Sequence, residues 1–211
     1  MIKNIVFDMG GVLIDWSPRE IIGRCGLSDE ESSLLFLEVF CGREWTAMDH
    51  GTMTPEEGLS LICRRLPQSL HAAAASCVLD WWKAPLIPMV GMEPLIRELK
   101  ANNYGIWLLS NATSALHEYF PRIPGSDCFS GLLVSADVRL LKPHHEIYRR
   151  LFETFSLKPE ECFFIDDNPL NIDGCYDVGM PGTVFLRDTD RLRRELREAG
   201  IRISASTERL H

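Results

Sequence analysis

The amino-acid sequence predicts an α/β fold, in which a Rossmann-like parallel sheet carries helices on both faces. Five short apolar runs have the length and composition of buried strands, and helical signals lie between most of them. The stretch after the first run carries only helical signals for about 70 residues. Alternating strands and helices are typical of a doubly wound sheet, and the long helical stretch indicates an inserted α-helical domain.

The predicted strands are spread from the beginning to the end of the chain. They cover residues 5–7, 106–109, 132–134, 162–165 and 183–186. Their mostly continuous apolar character is expected of parallel strands that are buried on both faces. Helices are predicted over 94–100 and 143–155, where proline begins each segment and apolar residues recur at helical spacing. A last helix is predicted after Asp188, with Leu192 and Leu196 on its apolar face.

The boundaries of the helical stretch predict two domains. Residues 1–16 and 87–211 are expected to form the core domain, and residues 17–86 a helical cap. Ser28 and Thr54 each begin a capping box, which marks the first turn of a helix. An insert at this point lies over the carboxyl ends of the strands, where open α/β sheets bind their ligands.

Composition and charge narrow the partners and the location of the protein. The chain has 211 residues and a net charge of -8, whereas nucleic acids and anionic membranes select basic patches. No apolar run approaches the roughly 20 residues of a membrane span. The seven scattered cysteines form no C-x-x-C pair, and no signal peptide is recognisable. We therefore expect a cytoplasmic monomer or homodimer with reduced thiols, no nucleic-acid or membrane partner, and a small-molecule substrate.

Polar side chains follow four of the predicted strands at the point where each strand ends. In strand order they are Asp8, then Ser110 with Asn111, then Lys142, and finally the adjacent pair Asp166 and Asp167. Each group alone is compatible with a helix cap or a solvated loop. Because the carboxyl ends of parallel strands share one edge of a sheet, we expect the groups to meet there. The joint pattern therefore indicates an active site.

These segments resemble the haloacid dehalogenase superfamily of hydrolases. The matching segments are Phe7–Val12, Leu109–Asn111, Leu141–Pro143 and Ile165–Asn168, in the family's order and spacing. The helical insert resembles the family's small C1-type cap. Asp15, Gly51 and the pair Glu56–Glu57 make the chain most similar to bacterial sugar-phosphate phosphatases, including the alpha-glucose-1-phosphate phosphatases. The resemblance implies a Mg²⁺-dependent phosphatase that acts on a small phosphate monoester, such as a sugar phosphate.

The resemblance and the chemistry of the side chains assign catalytic roles to the strand-end residues. Asp8 is the candidate nucleophile, because a carboxylate can attack phosphorus and form an aspartyl-phosphate. Lys142 offers a point charge that binds the phosphate and keeps Asp8 ionised. The Ser110 hydroxyl and the backbone amide of Asn111 can donate hydrogen bonds to the transferring phosphoryl oxygens.

The same edge of the sheet is a candidate magnesium site. Mg²⁺ prefers oxygen ligands and often bridges carboxylates to phosphate. Asp8, Asp167 and the backbone carbonyl of Gly10 are the candidate ligands, as the resemblance implies. Asp166 either binds the ion or supports the ligands from behind, and the sequence leaves both roles open.

Gly10 occupies the position where most phosphatases of this resemblance carry a second aspartate, which protonates the leaving oxygen. Losing general acid–base help removes about 10²- to 10⁴-fold in rate. A phosphatase could act on a good leaving group, such as an anomeric phosphate, with help from water, Asp15 or His50. However, Asp15 is expected to cap the first cap helix, and His50 to form a hydrogen bond in the cap.

Two other activities are compatible with the missing acid. A metal-independent 2-haloacid dehalogenase also uses an aspartate nucleophile, but the acid pair at 166–167 argues against it. A weakly active or non-catalytic binding protein is the third interpretation, against which the retained Asp8 and Lys142 argue.

Four cap residues are candidates for substrate recognition. Arg43, Trp45, Asp49 and His50 precede the turn at Gly51. The indole of Trp45 could stack on a sugar face or pack inside the cap, and the sequence leaves this choice open. Trp81 and Trp82, at the return to the core, are expected to pack structurally.

Overall fold

The computed structural model describes residues 1–204 and contains a sheet of five parallel strands. The strands are β1 (Asn4–Phe7), β2 (Gly105–Ser110), β3 (Gly131–Val134), β4 (Cys162–Asp166) and β5 (Gly182–Val184). Their order in the sheet is β3-β2-β1-β4-β5, and every neighbouring pair is parallel. The predicted doubly wound α/β fold is therefore confirmed.

Helices precede and follow the later strands and fill the insert after β1. The insert contains α1 (Pro18–Gly23), α2 (Asp29–Leu35), α3 (Arg43–Asp49), α4 (Pro55–Cys63) and α5 (His71–Ala75). The remainder of the chain contains α6 (Met92–Ala101), α7 (Leu116–Tyr119), α8 (Ser135–Val138), α9 (His145–Phe155), α10 (Pro169–Asp177) and α11 (Thr189–Glu198). Among residues 1–204, no helix has the length and apolar character needed to cross a membrane.

The two faces of the sheet bury two separate apolar clusters. Ile5 and Phe7 of β1 pack on the face covered by α6 and α11. Val6, which lies between them, packs on the opposite face against α9 and α10. The side chains of successive strand residues point to opposite faces, so a strand covered on both sides needs apolar residues at every position. This burial holds the carboxyl ends of the strands in line.

The helices of the insert pack around an apolar cluster of their own, which includes Leu35, Val39 and Ile62. Both predicted capping boxes are present. The Ser28 and Thr54 side chains accept hydrogen bonds from the backbone amides of Glu31 and Glu57, and the side chains of these glutamates accept hydrogen bonds from the amides of Ser28 and Thr54. Residues 68–83, within the stretch that carries helical signals, form a series of short helical turns. We propose that this insert acts as the cap, with the domain boundaries predicted above.

Several local expectations are corrected. The fifth strand ends at Val184 rather than 186, and the Leu186 side chain that follows is exposed. The expected cap of α1 by Asp15 is wrong, because the Ser17 hydroxyl accepts the hydrogen bond from the Glu20 amide. Asp15 instead forms an ion pair with Arg187, which lies beyond β5.

Candidate active site

The polar residues predicted at the strand ends meet at one edge of the sheet. The Lys142 ammonium lies 2.8 Å from Oδ1 of Asp8 and 2.6 Å from Oδ2 of Asp166. These side chains come from the residue after β1, the loop after α8 and the last residue of β4, and all three are buried. The convergence expected from the sheet topology is therefore present.

The Lys142 side chain is held as an ammonium by its surroundings. Its Nζ also donates a hydrogen bond to the carbonyl oxygen of Leu109, at 3.0 Å. Burial alone would lower the pKa of Lys142, but the carboxylates of Asp166 and Asp8 together raise it above its ordinary value. The positive charge expected beside Asp8 is consequently maintained without solvent.

Asp166 is occupied by hydrogen bonds on both of its oxygens. The Asn168 amide donates to Oδ1 at 2.8 Å, and the Asn171 side chain lies 3.0 Å from each oxygen. Lys142 takes the remaining approach to Oδ2. This arrangement favours the supporting role that the sequence left open for Asp166, since its lone pairs are engaged in orienting the lysine.

Sequence reasoning missed Asn171. It lies in the first turn of α10, soon after the acid pair. The Tyr148 hydroxyl donates a hydrogen bond to its backbone carbonyl oxygen at 2.7 Å. Its position one turn past an acidic strand end was the available signal, because the first turn of such a helix faces the edge of the sheet.

Asn111 has a structural contact that the sequence did not predict. Its side chain accepts a hydrogen bond from the Lys142 amide at 2.9 Å and donates one to the Lys142 carbonyl at 3.0 Å. The pair ties the loop carrying Lys142 to the end of β2. Ser110, at that same strand end, is buried and lines the cavity described below. The predicted contacts of Ser110 and the Asn111 amide with phosphate stay predictions.

The carboxylates at this edge fit a divalent cation. Asp8, Asp166 and Asp167 each offer an oxygen within 4.8 Å of the others. Oδ1 of Asp8 is buried, and among residues 1–204 it receives no well-directed hydrogen bond, only the ion pair with Lys142. Three carboxyl groups beside one ammonium leave an excess of negative charge, which a cation bound by oxygen ligands would neutralise.

The pKa shifts report the same excess of charge. Burial raises the pKa of Asp8 to about 7, against the opposing effect of Lys142. Burial and the neighbouring Asp166 also raise the pKa of Asp167. Asp167 is the exposed member of the group, on the side open to a ligand.

Gly11 makes room for the Asp167 side chain. Its φ is +73°, and a Cβ at this position would lie 2.1 Å from Oδ2 of Asp167. We expect Gly11→Ala to displace that carboxylate, to weaken about 10- to 100-fold any binding of a divalent cation to these carboxylates, and to destabilise the fold by about 1–2 kcal/mol. Calorimetric titration with Mg²⁺ and thermal unfolding measure the two effects.

Gly10 supplies the matched control for that substitution. A Cβ there would meet nothing nearer than Trp16 Cβ at 3.5 Å, which is an ordinary contact. Gly10→Ala should therefore give the same Mg²⁺ titration as the unaltered chain. Equal effects of alanine at both positions would contradict the proposed placement of Asp167.

A cavity of about 280 Å³ opens above Asp8, between the sheet edge and the insert. The sheet side contributes Asp8, Met9, Gly10, Ser110, Asn111, Ala112, Thr113, Tyr119 and Asp167. The insert and the segment leading into it contribute Trp16, Trp45, Met48, Asp49, Val78 and Trp81. Trp45 and Trp81 both pack in the cap cluster and face the cavity, so packing and substrate contact are compatible for each.

The cap candidates divide into two groups. Trp45 and Asp49 line the cavity, whereas Arg43 and His50 do not. The Arg43 side chain is 87% exposed, and His50 Nε2 lies 2.8 Å from the carbonyl oxygen of Arg139 in the core. Asp15 is also outside the cavity lining, so neither suggested substitute for the missing acid reaches the nucleophile. The sequence predicts only a role in substrate recognition for Asp49.

Comparison with known proteins gives a consistent family. The chain matches the haloacid dehalogenase-like hydrolases over residues 2–179. It is 26% identical over 198 residues to a sesquiterpene phosphatase of Aspergillus oryzae. The matched region covers 93% of this chain and 95% of the fungal protein. It is 28% identical over 114 residues to flavin mononucleotide hydrolase 1 of Arabidopsis thaliana, covering 54% of this chain and 46% of the plant protein.

A solved structure agrees in fold. A haloacid dehalogenase-family enzyme of Bacteroides thetaiotaomicron, in complex with magnesium and inorganic phosphate, superimposes with a TM-score of 0.65. The two sequences are 24% identical, and the match covers 91% of this chain and 99% of the other. The family match spans most of the chain and includes the strand-end residues described above. The chain therefore belongs to the haloacid dehalogenase-like hydrolases.

Proposed function

We propose that this hydrolase is a Mg²⁺-dependent phosphatase that cleaves small phosphate monoesters through an aspartyl-phosphate at Asp8. The observation that carries the proposal is the buried Asp8 carboxylate, 2.8 Å from Lys142 and beside Asp167, at the floor of a covered cavity. The Asp8 carboxylate attacks phosphorus and the ester alcohol leaves. Water then cleaves the aspartyl-phosphate and restores Asp8.

The neighbouring residues support this reaction by charge and hydrogen bonding. Lys142, the Ser110 hydroxyl and the Asn111 amide stabilise charge on the transferring phosphoryl group. Asp8, Asp167 and the Gly10 carbonyl would hold Mg²⁺, which when bound neutralises the phosphate and orients it toward the nucleophile.

The cavity wall narrows the class of leaving group. Three tryptophans, Tyr119 and Met48 line the cavity above Asp8, and Asp49 is the charged cap residue among the lining residues. Aromatic walls bind apolar or planar faces, including the apolar face of a sugar ring. We propose monoesters with such a face, the predicted sugar phosphates among them. The names of the fungal and plant relatives, a sesquiterpene phosphatase and a flavin mononucleotide hydrolase, fit this class.

A metal-depletion assay tests the proposed reaction. Phosphate release is measured from sugar, prenyl, flavin and aryl phosphates with Mg²⁺ and with EDTA. We expect release that EDTA abolishes and added Mg²⁺ restores, because the site carries excess negative charge without the ion. Chloride release from 2-chloropropionate without metal would instead indicate a dehalogenase. Saturable binding of esters without turnover would indicate a binding protein.

A further inference from the structure

We propose that Asp49 of the cap performs the proton transfers that Gly10 cannot, which makes it a catalytic residue contributed by the insert. It would protonate the leaving oxygen and then accept a proton from the attacking water. This inference rests on the proposed phosphatase function and adds to it the origin of the acid.

The cavity leaves few alternatives for this role. Its titratable lining residues are Asp8, Asp49, Tyr119 and Asp167. Asp8 is the proposed nucleophile, and Asp167 is a proposed magnesium ligand. Burial raises the pKa of Tyr119 far above its ordinary value, so its hydroxyl does not exchange protons near neutral pH. Asp49 is the remaining carboxyl group, and it approaches from the cap, opposite the edge of the sheet that carries the nucleophile.

Contacts on both sides of Asp49 hold it against the core. The Ser135 hydroxyl donates a hydrogen bond to the Asp49 carbonyl at 2.5 Å, and His50 Nε2 bonds the Arg139 carbonyl at 2.8 Å. Gly51 lies so near the core that a Cβ would be 2.2 Å from the carbonyl oxygen of Ala136. Three successive cap residues therefore dock on the segment that follows β3. Such docking gives a cap side chain the fixed position that proton transfer requires.

The environment of Asp49 suits a proton donor. Burial raises the pKa of Asp49 well above its ordinary value. A hydrogen bond from the Trp45 indole N–H lowers this pKa, and the negative charge of Asp8 raises it, so the net shift is upward. A carboxyl group whose pKa is raised keeps its proton to higher pH than an ordinary aspartate and can donate it to a leaving oxygen.

The proton balance of the two steps is complete. In the first step an Asp8 oxygen bonds to phosphorus, the bond from phosphorus to the ester oxygen breaks, and the Asp49 proton passes to that oxygen to release the alcohol. In the second step water bonds to phosphorus, and one of its protons returns to Asp49. The bond between phosphorus and Asp8 breaks, which releases inorganic phosphate and regenerates both carboxyl groups.

A leaving-group series tests the assignment. The ratio kcat/KM reports on steps up to phosphoryl transfer and is compared for alkyl phosphates and 2,4-dinitrophenyl phosphate. We expect Asp49→Asn to lower kcat/KM about 10²- to 10⁴-fold for alkyl phosphates, whose leaving oxygen needs a proton. The dinitrophenyl ester, whose phenolate leaves unprotonated, should change less than about tenfold. Asp49→Ala should give the same pattern, with thermal unfolding as the check on folding.

Two further variants sharpen the test. Gly10→Asp, for which the backbone has room, should restore alkyl phosphate hydrolysis in the Asp49→Asn background. Glu56→Gln, at an exposed cap carboxylate, should leave kcat/KM unchanged for both kinds of substrate. Equal losses for good and poor leaving groups, or no loss, would overturn the role of Asp49 while leaving the phosphatase function intact. Failure of the unaltered protein to hydrolyse any ester would overturn both proposals.

Discussion

Replacing Asp8 by Asn is expected to abolish phosphate release from every ester. The amide has nearly the size of the carboxylate but cannot attack phosphorus, so the loss should reach about 10⁴-fold or more in kcat. The same variant should form no acid-stable phosphoenzyme when quenched with labelled substrate.

Asp15→Asn provides the control in the same segment of the chain. Asp15 pairs with Arg187 outside the cavity lining, so its replacement should change kcat little. The Asp8→Asn protein should also retain its fold by circular dichroism. Substantial turnover by a folded Asp8→Asn protein would rule out the aspartyl-phosphate route.

Replacing Lys142 by Met is expected to cause a large loss of stability as well as activity. The change leaves the buried Asp8 and Asp166 carboxylates without their shared cation. Removing one partner of a buried ion pair costs about 3–5 kcal/mol, because the remaining charge is uncompensated. For a chain of this size each kcal/mol lowers Tm by about 2–4 °C, so we expect a fall of about 10 °C.

The loss of stability in Lys142→Met should depend on pH. Burial already raises the pKa of Asp8 against the effect of Lys142, so without the ammonium Asp8 binds its proton more tightly still in the folded than in the unfolded protein. A group whose folded pKa is raised in this way favours folding at low pH and loses that contribution as pH rises. The difference in unfolding free energy between the unaltered protein and Lys142→Met should therefore be smaller at pH 5 than at pH 8.

Lys3→Met is the matched control for the lysine substitution. Lys3 forms an ion pair with Glu161 at 2.7 Å, but its side chain is 62% exposed. Such pairs contribute about 0–1 kcal/mol, so denaturant unfolding should show little change. Equal losses of unfolding free energy from the two substitutions would contradict the stabilising role of the buried Lys142 ammonium between Asp8 and Asp166.

Much of the core and half of the site could be predicted from local patterns. Continuous apolar runs located all five strands, with errors of a residue or two at their ends. The carboxyl ends of parallel strands share an edge, so the meeting of Asp8, Lys142 and Asp166 followed from their positions after strands. The end of the fifth strand was predicted two residues too late. Leu186 is apolar yet exposed, and an apolar run in the sequence does not distinguish an exposed leucine from a buried one.

The support of the site was less visible. Asn171 is one polar residue in the first turn of a helix, and nothing local marks it as the partner of Asp166. The same holds for the Asn111 side chain, whose two hydrogen bonds join the loop of Lys142. Such contacts depend on how two segments approach, which a hydrophobic pattern does not specify.

The sequence by itself determined the α/β fold, the helical insert and the set of strand-end residues, because apolar periodicity and strand ends are local properties of the chain. Tertiary structure alone decided which cap residues face the nucleophile. Arg43, Asp49 and His50 lie close together in the sequence, yet only Asp49 lines the cavity. Contacts such as Ser135 to Asp49, which join residues 86 positions apart, orient α3, and no local pattern encodes a contact over that distance.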